Sequence, residues 1–310
     1  MTQSLIIGSR GSKLALWQAE AARAQLLQID PTLTVRIEII KTTGDVSRDP
    51  LTIIGGQGVF TKELEDALLK GRIDIAVHSL KDLPTILPDQ LKIAAVCKRE
   101  DPRDALVLRA SALNLKSLRD LATGAVVGTS SQRRLAQLKY LRPDVIVKDL
   151  RGNVDTRLKK LDHGDYDALI LASAGLRRLS VGDRINLSIS TDEMLPAVGQ
   201  GAIAIETHVD NETATRAVEK LDDPETRTTC LSERAFLRRL GGGCQFPIAA
   251  HAVVRAQQIN IDGLVASPDG TEIIRDNLTG DSDSPEDLGA ALACKLMDQG
   301  AKDLLQGTES

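Results

Sequence analysis

Residues 5–40, "LIIGSRGSKLALWQAEAARAQLLQIDPTLTVRIEII", contain two apolar runs separated by a stretch with apolar residues at helical spacing. The spacing predicts a strand over "LIIGS", a helix over "KLALWQAEAARAQLLQ" and a second strand over "VRIEII". A strand, a crossover helix and a parallel strand together form a βαβ unit. This opening therefore predicts an α/β sheet.

The same alternation continues and then restarts. A Gly-rich loop around "IIGGQGVF", a helix from about residue 61 to 70 and the strand "IDIAVHS" follow the opening. After "KREDPRD" come the strand "AVVGT", the helix "SQRRLAQLKYL", the strand "VIVKDL", the helix "NVDTRLKKLDHG" and the strand "ALILAS". Such alternation predicts mostly parallel sheets with helices on both faces, and two doubly wound α/β domains fit it better than one.

The pattern changes from about residue 224. A helix over "ETRTTCLSERAFLRRL" precedes three strands, "IAAHAVVRA", "QINIDGLVAS" and "TEIIRDNLTG", and a closing helix over "EDLGAALACKLMDQGAKDLL". Strands that follow one another with short connections favour antiparallel pairing. The sequence therefore predicts a separate, small α+β C-terminal domain with an antiparallel sheet.

Composition narrows the class of protein. With 310 residues, 42% hydrophobic and 26% charged, the chain can form two or three domains. The N-terminal "MTQSLIIGSR" has no basic leader and only a short apolar run, so we expect no secretory signal, no membrane span and a cytoplasmic location. The four cysteines show no CxxC spacing and the four histidines are scattered, so we expect free thiols and no metal site.

The net charge of −4 conceals a basic stretch. Residues 131–160 contain nine Lys or Arg and three Asp, which predicts an anionic ligand. Nucleic acid is a poor candidate, because the chain has only one Trp, two Tyr and three Phe, and of these only Tyr140 lies within the basic stretch. Arg142, Lys159 and Lys160 are interpreted as a solvated helix face. Arg133, Arg134 and Arg151 differ, because they lie at the ends of predicted strands.

The two predicted α/β domains open alike. "IGSRGS" (7–12) and "VGTSSQRR" (127–134) each end a strand, turn through small hydroxyl residues and begin a helix with arginine nearby. A helix N-terminus favours carboxylate or phosphate, and arginine offers a planar fork for carboxylate. Both segments therefore predict an anion-binding corner. The alternative is that the Ser and Thr side chains are only helix caps.

Two further segments carry candidate reactive groups. In "VHSLKDLP" (77–84), Lys81 and Asp82 follow the carboxyl end of a strand, where ligands of open α/β sheets bind. Asp82 is otherwise a turn former. In "RLGGGCQFP" (239–247), three glycines precede Cys244 and leave its thiol reachable, whereas a buried structural cysteine is the alternative.

These motifs occur in one order along nearly the whole chain, and together they resemble the porphobilinogen deaminase family, the hydroxymethylbilane synthases. They are "IGSRGSKLALWQA", "GGQGVFTKELEDALL", "AVHSLKDLP", "EDPRDALV", "VGTSSQRRLAQL", "LRGNVDTRLKKLD", "AGLRRL", "LPAVGQGAIAIE" and "ERAFLRRLGGGCQFP". The resemblance implies a transferase of haem and porphyrin biosynthesis. Such an enzyme condenses four porphobilinogen units head to tail, with release of ammonia, into the linear tetrapyrrole hydroxymethylbilane.

The resemblance also implies residue roles. Cys244 would hold a dipyrromethane cofactor by a thioether, and Asp82 would be the catalytic carboxylate. Residues 55–60 would form a lid loop, in which Gln57 replaces a usual lysine while Gly55, Gly56, Gly58 and Phe60 match. Cofactor and substrate would be bound by Arg10, Ser12, Gln18, Lys81, Thr129, Ser131, Arg133, Arg134, Arg151, Gly152, Arg157, Arg178 and Gln200.

The domain organisation implied by the resemblance is a pair of lobes like those of a periplasmic binding protein, followed by the small domain. Domain 1 comprises residues 1–98 and 199–219, domain 2 residues 99–198 and domain 3 residues 220–310, with hinges near "KRED" and "LPAVG". We expect a monomer that passes its product to the next enzyme of the pathway. Two other functions stay open: a non-catalytic two-lobed protein that binds a small anion, and a thiol hydrolase using Cys244, which lacks a histidine in a motif fit to activate it.

Overall fold

The computed structural model describes residues 4–43, 60–109, 115–243 and 246–306. The chain forms two compact units, one of residues 1–100 and 202–228 and the other of residues 101–201 and 229–310. The chain therefore leaves the first unit, forms part of the second and returns. The finer division into three domains stays a prediction.

The secondary structure follows the apolar patterns of the sequence. The described strands are β1 (Ser4–Ser9), β2 (Thr34–Ile39), β3 (Ile75–Ser79), β4 (Leu91–Cys97), β5 (Asp104–Leu108), β6 (Val126–Gly128), β7 (Ile146–Lys148), β8 (Ala168–Ala172), β9 (Leu187–Ser188), β10 (Ile203–His208), β11 (Ile248–Arg255), β12 (Gln258–Ala266) and β13 (Ile273–Asp281). The described α-helices are α1 (Lys13–Ile29), α2 (Lys62–Leu69), α3 (Gln132–Leu141), α4 (Val154–His163), α5 (Ser173–Arg178), α6 (Glu212–Val218), α7 (Pro224–Arg239), α8 (Pro285–Leu296) and α9 (Lys302–Gln306).

The first unit is built on a five-stranded sheet in the order β2-β1-β3-β10-β4. Helix α1 covers one face, where its buried Ala19, Ala22 and Leu26 pack in one cluster with Ile7 and Ile75 of the sheet. The other face packs against α2. The predicted α/β class, with helices on both faces of the sheet, is confirmed for this unit.

The second unit contains a five-stranded sheet of matching design, in the order β7-β6-β8-β5-β9. Two separate apolar clusters cover its two faces. The prediction of mostly parallel sheets is wrong in one respect. In each five-stranded sheet the described strands form two parallel and two antiparallel pairings, because β10 and β5 enter their sheets against the direction of their neighbours.

The predicted C-terminal antiparallel sheet is confirmed as β11-β12-β13, and it lies in the same compact unit as residues 101–201. Ala136 of α3 packs in a buried cluster with Leu264 of β12, so this small sheet shares a core with the rest of the unit. The predicted closing helix is interrupted after Leu296, because Gly300 has a φ of 103° within a π-helical turn. Among the described residues no helix is long and apolar enough to cross a membrane.

Candidate active site

The turn between β1 and α1 ends in a helix N-cap. Ser12 is the N-cap of α1, and its Oγ accepts a hydrogen bond from the backbone N–H of Ala15 at 3.2 Å. Arg10 lies in the preceding turn, and its guanidinium carbon lies 4.2 Å from the centroid of the Phe60 ring. This cation–π contact orients a positive charge at a helix N-terminus, where the helix dipole also favours an anion.

Asp82 follows the central strand β3 of the same sheet. After Ser79 the chain continues in a single 3-10 turn over residues 80–82, which also contains Lys81. The backbone N–H of Leu80 donates to the carbonyl of Ala202 at 3.0 Å. This backbone hydrogen bond fixes the turn that carries the Asp82 carboxylate.

One cavity of the first unit brings these groups together. Gln18 is 2% exposed on α1, and its Nε2 donates to Ser79 Oγ at 2.8 Å. The cavity walls come from the N-terminal ends of α1 and α2 and from the carboxyl end of β3. It is lined by Arg10, Ser12, Leu14, Ala15, Gln18, Phe60, Thr61, Val77, His78, Ser79 and Asp82. Five predicted site residues are thus neighbours in the folded chain.

The corner between β6 and α3, in the second unit, differs in its capping. The backbone N–H of Thr129 donates to the Lys148 carbonyl at 3.1 Å, and the N–H of Ser131 donates to Thr129 Oγ1 at 3.2 Å. Ser131 is the N-cap residue of α3, but within the described part of the chain its hydroxyl makes no capping bond. The Ser131 hydroxyl therefore leaves the backbone N–H groups of this helix end to other acceptors, and an anion is one of them.

Arg133 and Arg134 share one buried carboxylate. Arg133 donates to Asp104 at 2.7 and 3.3 Å, and Arg134 donates to it at 2.8 and 3.0 Å. Burial works to raise the pKa of Asp104, but the charges of both arginines and hydrogen bonds from Arg133 and Gln200 outweigh it and hold the pKa well below its ordinary value. Burial lowers the pKa of Arg134. The two arginines and the single Asp104 carboxylate therefore form a buried cluster with an excess of positive charge.

Gln200 and Arg178 are also buried in this unit. Gln200 Nε2 donates to Asp104 at 2.9 Å and to the carbonyl of Pro102 at 2.7 Å. Arg178 is 8% exposed and donates to the carbonyl of Gly201 at 2.6 Å. Gln200 therefore belongs to the same polar cluster as the two arginines.

The loop before α4 carries the remaining predicted residues. Arg151 Nε donates to Asp149 at 2.8 Å, and Arg157 Nε donates to the carbonyl of Gly152 at 2.7 Å. Gly152 has a φ of 107°, in the left-handed region that favours glycine. The glycine thus shapes the loop on which both arginines lie.

The predicted residues Gly55, Gly56, Gln57, Gly58 and Cys244 lie outside the described residues. The glycines that precede Cys244 are described. Gly241 has a φ of 69°, and a Cβ on Gly242 would overlap the Ile248 side chain. The backbone conformation at Gly241 and the packing at Gly242 therefore favour glycine at these positions. This is a second reason for the glycines, besides leaving the Cys244 thiol uncovered.

A buried pair beside Asp82 was missed by the sequence-based interpretation. His78 Nε2 lies 3.0 Å from Glu206 Oε2, and the two residues are 5% and 0% exposed. His78 stands in the quoted "VHSLKDLP", so its position near a ligand was an available signal. Its pairing with Glu206, which is 128 residues away, follows only from the fold. Asp104 was missed for the same reason.

Each unit is an α/β fold with a helix N-terminus and arginine side chains near the ends of its strands, an arrangement that suits an anionic ligand. Residues 5–216 match the family model "Porphobilinogen deaminase, dipyromethane cofactor binding domain", and residues 227–298 match "Porphobilinogen deaminase, C-terminal domain". The chain belongs to the porphobilinogen deaminase family. It is a transferase, with hydroxymethylbilane synthase activity and a dipyrromethane cofactor. The enzyme prediction is confirmed, and the family match favours it over a non-catalytic binding protein.

Solved structures that resemble the chain include periplasmic binding proteins. The aliphatic sulphonate binding protein SsuA from Escherichia coli is 14% identical, with a TM-score of 0.42, and the match covers 77% of this chain and 70% of that one. A substrate binding domain of a putative amino acid ABC transporter from Streptococcus pneumoniae is 14% identical, with a TM-score of 0.44 and coverage of 77% and 94%. The BvgS VFT2 domain from Bordetella pertussis is 17% identical, with a TM-score of 0.39 and coverage of 71% and 86%.

Proposed function

We propose that porphobilinogen reacts in the cavity of the first unit, with Asp82 as the catalytic carboxylate. The observation that carries the proposal is the common cavity of Asp82, Arg10 and Ser12 at the carboxyl end of β3. Ligands of open α/β sheets bind at this edge. A carboxylate and an anion-binding corner then meet one small molecule that has an aminomethyl pyrrole and two carboxylate side chains.

The Asp82 carboxylate acts on positive charge. When ammonia leaves the aminomethyl group of porphobilinogen, positive charge spreads over the pyrrole ring and its N–H group. A carboxylate already fixed beside the ring stabilises that charge as it develops in the transition state. The same carboxylate accepts a hydrogen bond from the pyrrole N–H and takes up a proton when the ring regains aromaticity.

The acetate and propionate groups of the substrate call for fixed positive charge. Arg10 provides a guanidinium that contacts the Phe60 ring, and a guanidinium is the side chain best suited to a carboxylate. Ser12 and the N-terminus of α1 add hydroxyl and backbone groups, Lys81 adds a second cation, and Gln18 orients Ser79 through their hydrogen bond. We assign these residues to substrate recognition.

The donor groups of the second unit fit the dipyrromethane cofactor. The cofactor carries carboxylates on each ring, and Arg133, Arg134 and Asp104 together have an excess positive charge. Arg133 Nε is buried and has no hydrogen-bond partner among the described residues. When bound, the cofactor supplies a pyrrole with a free α-carbon, to which the first substrate unit is joined. We propose that it is held by Thr129, Ser131, Arg133, Arg134, Arg151, Gly152, Arg157, Arg178 and Gln200.

Cys244 is the proposed point of attachment, through a thioether. The three preceding glycines support this role, because they contribute no side chains that would cover the thiol. A thioether persists through turnover, unlike the ester of a nucleophile that is released in every cycle. Cys244 would therefore be an anchor for the growing chain.

The remaining functional proposals rest on the sequence. We propose that the loop of Gly55, Gly56, Gln57, Gly58 and Phe60 closes over the substrate. The contact of Phe60 with Arg10 at the cavity wall supports this proposal. We also propose that the protein is a cytoplasmic monomer that passes its product to the next enzyme of the pathway.

Steady-state kinetics of two arginine variants test the substrate cavity. Arg10→Leu removes a charge-assisted contact worth about 1.5–3 kcal/mol, so KM for porphobilinogen should rise about tenfold or more. Arg23→Leu is the matched control, since Arg23 lies on the same helix, half exposed, and pairs with Glu20. A wild-type KM in the folded Arg10→Leu variant would rule out this cavity as the substrate site.

A further inference from the structure

His78 and Glu206 lie on one face of the first sheet, the face that α2 covers. Ala76 of β3 packs with Leu64 and Leu68 of α2, and His78 points the same way because side chains alternate along a strand. In the antiparallel pairing of β3 with β10, His78 is opposite Ala204 and Ala76 is opposite Glu206. His78 and Glu206 are therefore diagonal neighbours on this face, joined by the 3.0 Å contact.

Both side chains of the pair are buried. Glu206 is completely buried, and its second oxygen, Oε1, has no hydrogen-bond partner among the described residues. A buried carboxylate oxygen without a partner is costly, so Glu206 is placed to stabilise positive charge on the imidazole beside it. On α2, burial raises the pKa of Glu65, and the negative charge of Glu206 raises it further. Glu65, Glu206 and His78 thus form one cluster of interacting ionisable side chains.

The imidazole connects this cluster to the proposed reaction site. His78 lines the cavity together with Asp82 and Arg10. Its Nε2 is committed to Glu206, while Nδ1 makes no hydrogen bond within the described part of the chain. A ring nitrogen with no protein partner, in a residue that lines the cavity, is available to exchange a proton there. His78 interacts with Glu206 from β10 and with Glu65 from α2, and it lines the same cavity as Asp82 and Arg10.

We propose that His78, supported by Glu206, is a positioning residue that acts through Asp82 by removing the proton Asp82 has accepted. This inference rests on the proposed function of the cavity. For each unit added, the C–N bond of the aminomethyl group breaks and its electron pair leaves with ammonia, while a C–C bond forms to the α-carbon of the preceding ring. The C–H bond at that α-carbon then breaks, its electron pair restores the aromatic ring, and the proton passes to Asp82. His78 Nδ1 accepts it, Glu206 balances the imidazolium, and the proton leaves with ammonia as ammonium.

The relay has a defined kinetic consequence. If the proton stays on Asp82, the next cycle begins without the negative charge that stabilises the transition state. His78→Gln keeps a hydrogen-bonding side chain but cannot titrate, so kcat for ammonia release should fall about tenfold or more. KM should change little, because His78 is not assigned to substrate carboxylates. In the wild-type enzyme, kcat should fall at low pH when the imidazole can no longer accept a proton. In His78→Gln this acid limb of the pH profile of kcat should disappear.

Thr207→Val provides the matched control. Thr207 is the neighbour of Glu206 on β10, points to the opposite face, and is equally buried with an unpartnered hydroxyl. Removal of the Thr207 hydroxyl tests the effect of changing a buried polar group in the same strand. It should leave kcat and the pH profile unchanged. A His78→Gln enzyme with wild-type kcat and an intact acid limb would overturn the relay.

Titration of the wild-type imidazole keeps the inference testable if His78→Gln fails to fold. The chain has four histidines, whose ring nitrogens can be assigned by NMR with single-histidine substitutions. The relay requires the His78 ring to gain a proton between about pH 9 and about pH 5. A ring that stays in one protonation state over this range overturns the relay.

The two proposals fail in different experiments. Failure of Arg10→Leu to raise KM would count against the substrate cavity, whereas the titration of the imidazole would still decide the state of His78.

Discussion

Arg133 and Asp104 form a buried ion pair, in which Nη1 lies 2.7 Å from Oδ2 and the side chains are 5% and 0% exposed. Arg134 donates to the same carboxylate. A buried charge is tolerated only where its partner is present. The stability of the second unit therefore depends on Asp104.

Asp104→Asn should destabilise the protein strongly. The substitution keeps the size of the side chain but leaves two buried guanidinium groups without their anion, which costs about 3–5 kcal/mol. The free energy of unfolding from urea titration measures this loss. Glu286→Gln is the control, because Glu286 and Arg238 form a half-exposed pair in the same unit and exposed pairs contribute little. Equal stability of the two variants would contradict the role assigned to Asp104.

The same carboxylate predicts a pH dependence. The pKa of Asp104 is lowered in the folded protein, so the group stabilises the fold above its unfolded pKa, and this stability is lost as the pH falls toward the folded pKa. The difference in unfolding free energy between wild type and Asp104→Asn should be constant above about pH 5 and should shrink below about pH 4. Urea titrations at several pH values measure it. A difference that does not vary with pH would show that Asp104 does not carry the charge.

Asp82→Asn should separate binding from chemistry. The amide keeps volume and hydrogen bonding but removes the negative charge, so kcat should fall about a hundredfold or more, with a much smaller change in substrate binding. Asp82→Glu keeps the charge but moves it by one methylene group, and measurable activity should remain. Ammonia release and intact-protein mass measure both effects. A folded Asp82→Asn enzyme that carries its cofactor and releases ammonia at the wild-type rate would reduce Asp82 to a turn residue.

Gly128→Ala should destabilise the second unit. A Cβ at Gly128 would lie 2.6 Å from Leu169 and 2.9 Å from the ring of Tyr166, which is closer than packed atoms allow. Overpacking of this kind costs about 1–3 kcal/mol. Gly182→Ala is the control, because the nearest atom to its Cβ lies 3.6 Å away, in ordinary contact. Thermal unfolding that moves equally in both variants would contradict this packing argument.

Apolar periodicity predicted most of the fold, because a helix and a strand each bury apolar side chains at their own characteristic spacing. The direction of β10 could not be predicted in this way. No strand was predicted over residues 203–208, and the antiparallel pairing of β10 with β3 and β4 depends on where the chain re-enters the first unit. The break at Gly300 was likewise not predicted, since a single glycine is tolerated in many helices.

The grouping of Arg10, Ser12 and Asp82 around one cavity was predictable, because each of them follows a strand in sequence. Residues that complete the site from distant segments were not. Asp104 lies 29 residues before Arg133, and Glu206 lies far from His78, so neither pairing leaves a local pattern. The buried counter-charges of the arginines and of the imidazole are therefore findings of the three-dimensional structure.

Intact-protein mass of the purified, active enzyme tests the central claim most directly. The protein should be heavier than its sequence by two pyrrole units, and Cys244→Ser should remove this increment together with activity. Cys294→Ser is the control and should keep both, because Cys294 is another free cysteine that is not fully buried. A fully active enzyme with the mass of the bare chain, or an unchanged increment in Cys244→Ser, would contradict the account.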